Sequence, residues 1–97
     1  MEFKDLKFTE NALGGFGSST EINGYILSVQ CGVFLYCTPR GDLSSVEDYS
    51  AFEVGIFDSK RNWATKEFIE VDDDVAGWQS RDDINKIIKK IENKTIK

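Results

Sequence analysis

The chain has 97 residues, 40% of them apolar and 30% charged, with a net charge of −5 and no histidine. That length fits one domain with a modest core, and the balance is that of a folded chain rather than a disordered one. Lacking histidine, the chain is denied Ser-His-Asp and Cys-His nucleophile activation, imidazole acid–base chemistry and every zinc site built on imidazole.

The first residues, "MEFKDLKF", are charged and alternating, unlike the apolar core of a signal peptide. No later segment approaches the roughly 18 apolar residues needed to span a bilayer, so the expectation is a soluble intracellular protein without a membrane partner. Phe3, Leu6 and Phe8, set among charges, predict a short strand or extended lead-in. "NALGGFGSST" follows, with Gly14, Gly15 and Gly17 close together. A phosphate cradle would need a Walker lysine or the dinucleotide glycine spacing, and both are missing. A flexible loop or bulge is the better reading.

The clearest strand signal runs from Tyr25 to Cys37, where every odd position is apolar while Ser28, Gln30 and Gly32 fall between. That period of two marks a buried face. The run is long for one strand, and Gly32 is a natural bend or bulge. Fully extended, Cys31 and Cys37 would stand about 20 Å apart, beyond disulfide reach. They read as small core hydrophobes in a reducing compartment.

Thr38 to Ser50 is a polar connection with the only proline, Pro39, placed to begin a turn that Gly41 closes. Arg40-Gly41-Asp42 spells the tripeptide that integrins read, but turn chemistry explains it better in an acidic intracellular chain. At 13 residues the loop is longer than usual, and such loops often carry function. "SAFEVGIFD" alternates again; "DSKRN" is a polar turn and "WATKEFIEV" a returning strand, which together predict a hairpin.

Asp72, Asp73 and Asp74 precede Val75, Ala76, Gly77 and Trp78. One aspartate, Asp73 for instance, could cap a single turn that Gly77 terminates, with Trp78 dropping into the core. An acidic protein-binding face and a two-carboxylate magnesium site are the other readings; an EF-hand is ruled out by the missing alternate ligands and distal glutamate. Further on, Ser80 with Asp83 three residues later forms a capping box, and Asp82 and Asp83 suit the positive end of a helix. Ile84, Ile87, Ile88 and Ile91 then mark one stripe of an amphipathic helix, with Lys86, Lys89, Lys90 and Lys94 on its wet side and end. The tail after Asn93 is expected to fray.

Charge divides along the chain. Residues 1–80 hold 14 acids against 6 Lys or Arg, or −8; residues 81–97 hold 3 acids against 6, or +3. An acidic body repels nucleic acid and membrane phosphates, while lysines in a last helical turn serve the macrodipole.

These elements predict a single α+β domain over residues 1–97: a twisted antiparallel sheet of four to five strands with one C-terminal amphipathic helix packed on a face. Its core is expected at about residues 22–92, with 38–50 a polar loop. No catalytic residue, metal ligand or cofactor motif is assigned. The candidate binding residues are Asp72, Asp73, Asp74, Trp78, Arg40 and Asp42. A core this small leaves only a few kcal/mol of net stability, so a homodimer would be useful without being required.

Gly24-Tyr25, Phe52-Glu53-Val54-Gly55-Ile56 and Asp73-Asp74-Val75-Ala76-Gly77-Trp78, followed by the helix from Arg81, together resemble a family of small uncharacterised proteins of tailed bacteriophages, of T-even-like and cyanophage type. The resemblance covers most of residues 22–92, with Glu70 near where the family usually has proline. It implies a phage accessory protein in the host bacterial cytoplasm and carries over no catalytic residue. Combined with the acidic body, it predicts a non-enzymatic protein that binds and modulates a host or phage protein with a basic surface, without direct nucleic-acid binding. Two other readings stay open. One is a nucleotide-binding, sponge-like protein using the glycine loop, Arg40, Tyr25, Phe34 and Tyr36. The other is a metal-dependent enzyme using Asp72, Asp73 and Asp74.

Overall fold

A computed structural model describes residues 1–95. Five strands, β1 (Thr9–Glu10), β2 (Phe16–Ile22), β3 (Tyr25–Cys31), β4 (Phe52–Phe57) and β5 (Val75–Gln79), form one antiparallel sheet in sequential order, and α1 (Arg81–Glu92) follows. The protein is therefore α+β, with a meander of strands closed by one C-terminal helix.

Alternation assigns the two faces. Ile22, Leu27, Val29, Cys31, Phe52, Val54 and Ile56 point to one side and join Ile84, Ile87, Ile88 and Ile91 of α1 in a single buried cluster. The helix begins as its sequence dictates: the Ser80 N–H donates to Asp83 Oδ2 at 3.0 Å, and the Asp83 N–H donates to Ser80 Oγ at 3.1 Å. Two orphan amide donors are thus satisfied reciprocally. The other end is held from the β2–β3 turn, where Asn23 Nδ2 donates to the carbonyls of Ile91 and Lys94, each at 2.9 Å. Lys94 also pairs with Glu67 at 3.5 Å. The expected fraying after Asn93 is thus not seen at Lys94, and residues 96–97 of that tail lie outside the described residues.

Several expected elements fold differently. Residues Phe3–Asp5 form a 3-10 turn rather than a strand, because the Phe3 N–H is claimed by Asn85 Oδ1 at 2.6 Å and its ring enters the core. The glycine-rich stretch is half a hairpin turn and half the strand β2, whose inward positions Phe16, Ser18, Thr20 and Ile22 alternate with Gly17, Ser19 and Glu21. Asn23 and Gly24 both have positive φ, 51° and 83°, as a two-residue hairpin turn matched to strand twist requires.

The long apolar run stops at Cys31, where Gly32 adopts φ 154° and the chain doubles back. Cys37 Sγ lies 3.2 Å from both the amide nitrogen and the carbonyl oxygen of Gly32. The extended spacing assumed for the two thiols therefore does not hold; both are free and buried.

"WATKEFIEV" is not a strand. Only Trp63 bridges Phe57; a 3-10 turn at Thr65–Glu67 then carries Phe68 into the core, where its ring meets Tyr25 edge-on at 4.9 Å. The partner of β4 is instead β5, the segment expected to cap a helical turn. Thr65 makes this possible. Its hydroxyl accepts the Ile56 N–H at 2.9 Å and donates to the Asp74 carbonyl at 2.6 Å, while the Ala64 N–H donates to the Ile56 carbonyl at 2.7 Å. Half of β4 is closed by this segment and half by β5.

Candidate functional site

The face of the sheet opposite α1 carries Ser19, Ser28, Gln30, Glu53, Gly55 and Phe57, by the same alternation that buries their neighbours. No helix of the described residues covers it; aromatic side chains do so in part. Trp63 folds back over Gly55, where an added Cβ would meet its ring at 3.0 Å. Its ring centroid lies 4.4 Å from that of Phe57. Tyr36 lies over Gly77, where a Cβ would come within 2.7 Å of its own Cβ. Its ring sits 5.3 Å from that of Trp78.

These rings are nonetheless open to solvent: Trp78 is 61% exposed, Trp63 48% and Tyr36 43%, with Phe34 at 73% nearby. Several exposed aromatics on one side of a small domain depart from the scattered apolar exposure of an ordinary surface. Backbone geometry sharpens the point. Trp78 holds φ 54°, next to a register shift opposite Phe52 and Val54. Such a conformation costs a bulky residue of order 1–3 kcal/mol, and such outliers concentrate at functional sites. The Trp78 N–H is drawn across to the Tyr36 carbonyl at 2.9 Å, which locks the ring pair in place.

Against the Trp63 and Phe57 rings lies a pocket of about 260 Å³, lined also by Ser19, Ser28, Gln30, Glu53, Gly55 and Val75. Glu53 is half-buried there; one oxygen accepts the Tyr36 N–H at 2.9 Å. Among the described residues no lysine or arginine pairs with it. Beside this pocket a second, more apolar hollow of about 290 Å³ is walled by Leu13, Val33, Phe34 and Leu35.

The candidates read from sequence divide. Arg40 and Trp78 converge on Tyr36, the guanidinium 5.5 Å from the ring centroid. Trp78 therefore lies on the surface rather than in the core, because β5 continues through it and the bulge turns it outward. Asp42 belongs elsewhere. It accepts the Gly15 N–H at 3.1 Å and latches the 38–50 loop to the β1–β2 turn. That loop is ordered about Tyr49, which is buried, hydrogen-bonded through its hydroxyl to the Gly41 carbonyl and the Leu43 N–H, and tied to α1 by Arg81.

Asp72, Asp73 and Asp74 are all exposed in the loop entering β5. Asp73 accepts only the N–H of Asp74 at 2.7 Å, so no helical turn is capped here. Among the described residues no group of three or more His, Cys, Asp or Glu is arranged to hold a metal ion. The nucleotide constellation does not assemble either. Tyr25 lies against Phe68, away from Phe34 and Tyr36, and the Gly15 amide is spent on a carboxylate while Cys31 and Gly32 backbone fill the space at its Cα.

Sequence reasoning singles out none of Glu53, Phe57 and Trp63 on this face, and names Tyr36 only in the nucleotide reading. The available signal was the alternation of "FEVGIF", which places Glu53 and Phe57 on the side away from the core. Comparison with protein families, curated proteins and solved structures finds no match for this chain.

Proposed function

We propose that this protein is a non-enzymatic binding module, a small accessory protein of the bacteriophage kind its sequence resembles, acting in the host bacterial cytoplasm. It docks a partner protein against the uncovered face of its sheet and modulates that partner by occupying its surface. The observation that carries the reading is the set of exposed rings on this face: Trp63 held over Gly55, Tyr36 held over Gly77, and Trp78 against Tyr36. Aromatic anchors of this sort dominate the energy of protein interfaces because they bury large area at little cost in side-chain entropy. The acidic body supports a basic partner and opposes nucleic acid. In this arrangement Asp72, Asp73 and Asp74 stand at the rim, where charge steers association more than it adds affinity. No helix of the described residues is long and apolar enough to cross a membrane.

Photocrosslinking in bacterial cells tests the proposal, with a benzophenone amino acid placed singly at Trp78, Asp73 and Lys89. A discrete adduct to one basic protein is expected from position 78, a weaker one from 73 and none from 89 on the wet side of the helix. Adducts from 89 alone would overturn it.

A further inference from the structure

We infer that the pocket around Glu53 takes the guanidinium of an arginine from an extended basic segment of the partner protein. The inference rests on the docking proposal above and names the group that this surface recognises.

Three features converge on a planar cation. The first is charge: among the described residues Glu53 is the one ionisable side chain lining the pocket, with one oxygen engaged by the Tyr36 N–H and no donor from those residues to the other. A part-buried carboxylate with spare acceptor capacity offers a cationic donor both charge and a free oxygen. The second is the wall. Trp63 and Phe57 present aromatic surface beside that carboxylate, and a cation near ring faces gains about 0.5–2 kcal/mol, more as water is excluded. Arginine suits this better than lysine, since its flat, weakly hydrated group both stacks and forks.

The third is the floor, where Ser19, Ser28 and Gln30 supply oxygens that can accept the remaining N–H groups. The chain already uses the same chemistry internally. Arg81 lies 5.0 Å from the Phe3 ring and 5.2 Å from the Phe52 ring while donating to the carbonyls of Tyr49 and Val46 at 2.8 and 3.1 Å.

The probe is a blocked tripeptide, acetyl-Gly-Arg-Gly-amide, titrated into the labelled protein by 1H–15N NMR. Counterparts with citrulline or lysine in place of arginine, and adenosine monophosphate, form the other arms. Saturable shifts are expected at the amides of Glu53 and Gly55 and at the Trp63 indole, with a Kd on the order of 1–10 mM for so small a ligand. The citrulline peptide should bind roughly tenfold more weakly and the lysine peptide roughly threefold more weakly. Glu53→Gln, which keeps an acceptor for the Tyr36 N–H, should weaken the arginine peptide about tenfold, and Trp63→Leu several-fold; Lys89→Gln, on the wet side of the helix, should leave it unchanged.

Equal binding of citrulline, lysine or adenosine monophosphate, or shifts centred away from Glu53, would overturn the inference. Crosslinks from position 78 that persist in Glu53→Gln, together with a silent peptide titration, would refute this pocket's role and leave the docking proposal standing. Crosslinks absent from position 78 would refute the docking proposal itself.

Discussion

Thr65→Val tests how the 58–74 connection is tied to β4. The side chain is 1% exposed, and its hydroxyl joins the Ile56 N–H to the Asp74 carbonyl across the 58–74 connection. Valine keeps the shape but not the oxygen, so it is not a conservative exchange here. The Ile56 N–H would be left without a partner inside the sheet, at about 1–3 kcal/mol. The Asp74 carbonyl is only part-buried and can turn to water, so its share is smaller. The sum is about 1–4 kcal/mol, a fall in Tm of roughly 5–30 °C for a domain of this size. Thermal and urea unfolding read this directly, and Trp63, two residues away, should report the loosening as a red-shifted emission. Thr65→Ser retains the oxygen and should cost about 1 kcal/mol for the lost methyl. A Thr65→Val protein within 0.5 kcal/mol of the parent, or a serine variant as unstable as the valine one, would refute this account of the connection.

Ser80→Ala removes the helix cap and should cost about 1 kcal/mol by denaturant unfolding. Hydrogen bonds from the Ser80 amide and hydroxyl hold the Asp83 carboxyl below its ordinary value. Its contribution is therefore full above the usual carboxylate range and lost as pH falls through the lowered folded value, so Asp83→Asn should be destabilising at pH 7 and nearly neutral at pH 2. Burial pushes the Cys31 thiol up to about 11. At pH 8 a thiol reagent should label neither cysteine in the folded protein and both in urea. Because the folded thiol binds its proton more tightly than the unfolded one, stability should decline as pH rises above about 9.

Legibility followed the periodic signals. The helix was plain because cap, isoleucine stripe and lysines agree, and β4 because "FEVGIF" alternates cleanly between buried and outward positions. β2 was hidden because its inward positions include Ser18 and Thr20, polar like the outward Ser19 and Glu21, so the polarity alternation is broken. Asn23-Gly24 was the local signal that would have revealed it. The β5 segment misled because Asp-Asp-Val-Ala-Gly reads equally as a capped turn; a long-range hydroxyl, that of Thr65, decides for the strand. The aromatic cover of the sheet face away from α1 was obscured as well. Trp63 reaches it through a short reversal onto Phe57, and Tyr36 through a carbonyl that accepts the Trp78 N–H, a contact distant in sequence.

The central claim is that recognition occurs on the sheet face away from the helix, and hydroxyl-radical footprinting tests it most directly. In the free protein Trp78, Trp63 and Tyr36 should oxidise readily, as should Met1, which sits by the C-terminal end of α1. In the complex with the protein captured by crosslinking, the three rings should be strongly protected while Met1 oxidises as before. Unchanged oxidation of Trp63 and Trp78, with protection at Met1 and the helix, would contradict the account.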